Sequence, residues 1–104
     1  MNHSDDEKKR SDNNLIERIQ TGVRMEKRMV KVLKAVAEYL DISLGDLLEG
    51  IVLHAFAGKA PFSALTLEQI ARLKEIYGMD YGVDASHRLR EITSQQKEED
   101  RDAL

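Results

Sequence analysis

Apolar positions recur along this chain with two different periods. Between residues 19 and 25 they alternate. Ile19, Thr21, Val23 and Met25 share one side of an extended backbone, and Gln20, Gly22 and Arg24 share the other, which Arg18 continues. That alternation predicts a half-buried strand. From residue 26 to residue 40 the period lengthens. Met29, Leu33, Val36 and Leu40, widened by Val30 and Ala37, form the stripe of an amphipathic helix. After the short link Asp41-Ile42-Ser43, a second helix carries Leu44, Leu47, Leu48, Ile51, Val52, Ala55 and Phe56. Ser43 suits its N-cap, with Asp46 three residues on, and Gly58 suits its end. This helix is apolar on nearly two sides, so it must be covered from more than one direction.

The remainder is patterned more weakly. Residues 59–63 form a linker with the only proline, Pro61. Thr66 and Gln69 resemble a capping box ahead of a third helix bearing Leu67, Ile70, Leu73, Ile76 and Tyr77. Gly78 ends it, and Asp84 is placed to cap a fourth short helix carrying Leu89 and Ile92. Residues 1–14 and 94–104 are polar and aperiodic, which predicts disordered tails, the second acidic. The expected organisation is a tail over 1–14, a functional domain over 15–58, a helical extension over 59–93 and a tail over 94–104.

A lone strand needs a partner, and one 104-residue chain offers no second strand. The core is also small for a monomer. No cysteine is present, so disulfides and thiolate metal sites are excluded. A second copy of the chain is the remaining staple.

Charge changes the picture once it is divided. The net charge of −3 argues against a polyanion partner. Yet residues 18–34 hold six basic residues against one acid, and residues 41–104 hold seven against twelve. Local potential steers a polyanion more than the total does. No apolar run approaches the roughly 20 residues of a membrane span, and the first residues lack a signal-peptide core. A cytoplasmic protein with no membrane contact is expected. His54 and His87 lack companions at ligand spacing, and no glycine-rich phosphate loop, His-Glu-x-x-His or serine elbow occurs. No enzyme activity, metal or cofactor is expected.

The order strand, helix, short serine-bearing turn, helix over residues 18–56 resembles the ribbon–helix–helix family of DNA-binding proteins, the Arc/MetJ/CopG type. The most specific stretch is Ala37-Glu38-Tyr39-Leu40-Asp41-Ile42-Ser43, at the end of one helix and the cap of the next. The resemblance implies a mainly α fold in which one N-terminal strand pairs antiparallel across a homodimer. Two core helices follow, with one or two extra C-terminal helices. The paired strands would enter the major groove of double-stranded DNA. Gln20, Gly22 and Arg24 would occupy the base-reading positions, and Arg18, Lys27, Arg28, Ser43, Leu44 and Gly45 would meet the backbone. Ile19, Thr21, Val23, Met25, Leu33, Val36, Leu40, Leu47, Leu48, Ile51, Val52 and Phe56 would close the dimer core. Arg matches guanine and Gln matches adenine by paired hydrogen bonds, whereas Gly22 brings no reading group and Asp46 would repel a nearby phosphate. The implied function is a sequence-specific transcriptional regulator, most simply a repressor. Two alternatives stand beside it. One is an antitoxin that holds a protein partner through residues 59–93. The other is a dimeric interaction module that no longer binds DNA.

Overall fold

Residues 14–92 are described by a computed structural model of the chain. They form three α-helices: α1 over Lys27–Leu40, α2 over Leu44–Phe56 and α3 over Ala64–Ile76. A single 3₁₀ turn follows at Val83–Ala85.

Each helix starts and stops for a local reason. The Glu26 carboxylate caps α1 by accepting from the backbone N–H groups of Arg28 and Met29. Asp41 then turns the chain in the left-handed region at φ 57°, and its N–H returns to Ala37 and Glu38. Aspartate is among the few non-glycine residues that tolerate this region. Ser43 Oγ accepts from the Asp46 N–H at 3.1 Å, which starts α2 with only three residues between it and the end of α1. Gly58 and Gly78 stop α2 and α3, at φ 67° and 68°, a conformation that disfavours any residue with a Cβ. Removing the Ser43 hydroxyl in Ser43→Ala should cost about 1 kcal/mol. A melting midpoint lower by about 4–8 °C would report it, with an unchanged midpoint counting against the cap.

The core is small. Val32, Val36 and Ala37 of α1, Leu47 of α2 and Leu73 of α3 are its buried hydrophobic residues. Leu33, Leu44, Ile51, Phe62, Ile70 and Met79 pack around them. Helix α1 is the shared wall: it packs against both α2 and α3.

Several expectations are corrected. The fold is all-helical among the described residues, so the N-terminal strand, and with it the ribbon–helix–helix architecture, is not present. Residues 15–26 have no regular structure. The alternation of Ile19, Thr21, Val23 and Met25 meets nothing to bury against: Ile19 is 86% and Val23 75% exposed. A strand is defined by a ladder of hydrogen bonds to a neighbour, and no neighbouring backbone among the described residues offers one. The third helix begins at Ala64 and is capped by Ser63, whose Oγ accepts from the Thr66 N–H at 3.2 Å. Thr66 is therefore not a cap. It is buried inside the first turn and accepts from the Ser63 hydroxyl. The fourth helix shrinks to the 3₁₀ turn, which has no side-chain cap; Asp84 lies within it. The tails expected over 1–14 and 94–104 fall outside the described residues, apart from Asn14.

Candidate nucleic-acid interface

Two kinds of cation emerge from the basic segment. The lysines Lys27, Lys31 and Lys34 are spaced by four and three residues along α1 and are all exposed. That spacing sets them in one row on one face of the helix. None of them forms an ion pair among the described residues.

The arginines are engaged. Arg18 makes a two-pronged contact to Glu49 of α2, at 3.0 and 2.9 Å. This contact raises the Arg18 pKa, with a smaller contribution from nearby Asp46, and lowers that of Glu49. Arg24 pairs with Glu91. Both pairs are exposed, and such pairs contribute little to stability because water and salt screen them. They nonetheless bring the two ends of the extended run to opposite partners, one on α2 and one near the end of the described chain.

Arg28 belongs to a tighter assembly. Its guanidinium donates to the Gly78 carbonyl at 2.9 Å and to Asp80 at 3.2 Å, and it also contacts Glu26. It lies 5.4 Å from the centroid of the Tyr81 ring, within cation–π range. The Tyr81 hydroxyl donates to Glu26 Oε1 at 2.5 Å. Burial pushes the Glu26 pKa up. The Tyr81 hydroxyl, the Arg28 N–H and guanidinium, and the Met29 N–H outweigh that and bring it down to about 2. Burial and the Glu26 carboxylate together push Tyr81 up to about 12. The assembly ties the start of α1 to the segment after α3.

The other anticipated DNA contacts are scattered. Gln20 and Gly22 lie exposed on the extended run, and a Cβ at Gly22 would meet open space. Ser43 is spent on its cap, Leu44 packs on the core and Gly45 is exposed at the start of α2. Of the anticipated dimer core, Val36 and Leu47 are buried within the single chain, and Leu33 and Ile51 pack beside them. Leu40, Val52 and Phe56 remain exposed, Phe56 at 83%. Sequence reasoning missed Glu49, Asp80, Tyr81 and Glu91. Their partners lie between 31 and 67 residues away, a separation no periodicity reports.

Among the described residues no group of three or more His, Asp or Glu side chains could hold a metal ion, and no helix is long and apolar enough to cross a membrane. No protein-family model matches the chain, and no curated protein or solved structure matches it either.

Proposed function

We propose that this protein is a DNA-binding homodimer acting as a transcriptional regulator, most simply a repressor that occludes its site. The observation that carries the reading is the row Lys27, Lys31 and Lys34. These are three exposed ammonium groups on a rigid helix, with no carboxylate paired to them among the described residues. A row of this kind suits a phosphate backbone, where each neutralised phosphate releases counterions. Gln20 and Arg24, on the extended run leading into α1, have the donor and acceptor patterns that suit base edges. They would reach a groove as an arm rather than as a paired ribbon. Arg24 would exchange Glu91 for DNA, at little cost because that pair is exposed.

The second copy is supported by α2. Its sequence is the most apolar of the three helices, yet Leu47 is its only buried residue. Val52, Leu53 and Phe56 are exposed together at its C-terminal half. One observation favours the competing reading of an interaction module without DNA: Arg18, Arg24 and Arg28 all have carboxylate partners within the chain.

Binding to random-sequence duplex over a salt series separates these readings. The wild-type chain should bind, with affinity falling steeply as salt rises. Lys27, Lys31 and Lys34 changed together to Ala should flatten the log–log slope by about 2–3 per chain. No binding at low salt, or an unchanged slope in the variant, would leave the interaction module standing. Sedimentation should show a dimer in the wild type that Phe56→Lys dissociates. A wild-type monomer at micromolar concentration would remove the second copy from the proposal.

A further inference from the structure

A cleft of about 430 Å³ opens between α1, α3 and the segment that follows α3. Val32, Leu33 and Val36 of α1 line it, with Ile70 of α3 and Phe62, and with Met79, Tyr81, Val83, Ala85 and Leu89 of the following segment. The volume lies within the range of small-molecule sites, which are mostly apolar with a few placed polar groups. The third wall is irregular chain, yet it is anchored. Arg28 holds the Gly78 carbonyl and Asp80, and Glu26 holds the Tyr81 hydroxyl. These contacts fix the start of that wall before any occupant arrives.

Its chemistry is one-sided. Among the described residues, Lys74 is the only charged one in the lining. It is half-buried and makes no ion pair among the described residues. Ser86 contributes a hydroxyl, while the Tyr81 hydroxyl is already committed to Glu26. An occupant carrying an acid group would find a cation in Lys74, whereas a cationic one would be repelled.

We propose that this cleft binds a small amphiphilic anion, with its apolar body against α1 and its carboxylate or comparable acid group at Lys74. The site is separate from the lysine row on α1 and stands or falls independently of DNA binding.

Decanoate, kept below its micellar range, and decanol are the probes, titrated into the full chain and followed by amide NMR. Decanoate should shift the Met29, Ala85 and Leu89 amides saturably with one site per chain, and decanol should bind more weakly. Lys74→Met keeps the aliphatic stem and removes the charge, so it should lower decanoate affinity about tenfold and leave decanol unchanged. Lys74→Gln serves the same purpose if the methionine variant misfolds. The proposal is overturned by non-saturable shifts, by equal affinity for the two probes, or by a charge-removing variant that binds decanoate normally. It is also overturned if the same amides shift on dilution of ligand-free protein, since a second copy would then be the occupant.

Discussion

Leu47→Ala is expected to unfold most of the protein at 37 °C. Leu47 is 4% exposed and is the only buried residue that α2 contributes to the core. Truncating a buried leucine costs about 2–5 kcal/mol, because the lost transfer energy is joined by the cavity left behind. A domain this small with so few buried side chains sits near the lower end of folding stability, about 5 kcal/mol. The loss is therefore comparable to the whole. Urea denaturation should show a midpoint near zero denaturant or no folded baseline, at every protein concentration. Phe56→Ala makes the contrast. Phe56 is 83% exposed in the single chain, so its removal should leave the isolated fold intact. If it lies between two copies, the variant instead lowers the midpoint only at concentrations where the wild type dimerises. A Leu47→Ala unfolding free energy within about 1 kcal/mol of wild type would mean that α2 is not held by this contact.

The helices were legible in the sequence because their signals are local. The stripe from Met29 to Val36, the serine before Leu44 and the glycines at 58 and 78 each act within one or two turns. α1 and α2 accordingly begin and end within a residue of where periodicity and capping put them. The strand was read from an equally local signal, but a strand is not a local object. Alternation at Ile19, Thr21, Val23 and Met25 states which side chains would share a face, and says nothing of whether a neighbouring backbone exists. The candidate interface divides in the same way. The lysine row follows from helix spacing alone. The fate of Arg18, Arg24 and Arg28 depends on Glu49, Glu91 and Asp80, which the fold brings from far along the chain. Arg28 in particular is better explained as a clamp than as a phosphate contact, since its donors already have acceptors.

That clamp should make stability depend on pH through Glu26. Its carboxyl is held at about 2, below the ordinary 4.5. A depressed carboxylate pKa contributes stability that is complete above the unfolded value and is lost as pH falls through the folded one. The window is therefore from about 4.5 down to about 2. The full shift would correspond to about 3 kcal/mol, and allowing for partial solvent screening leaves about 2 kcal/mol. Glu26→Ala should lose that amount at pH 7, where the N-cap and the Tyr81 partner both disappear. Near pH 2 the variant and the wild type should converge, because the protonated wild-type carboxyl no longer serves either N–H well. Tyr81 supplies the opposite limb. Its pKa, raised from 10.0 to about 12, contributes stability present below the ordinary value and lost as pH climbs through the raised one. Tyr81→Phe should remove the alkaline loss and keep part of the acid loss, since the Arg28 and Met29 N–H groups still face the carboxylate. Denaturant midpoints across pH 2–7 decide the acid limb. Parallel curves for wild type and Glu26→Ala would show that the carboxylate titrates without coupling to the fold, and that the segment after α3 is held by something other than this network.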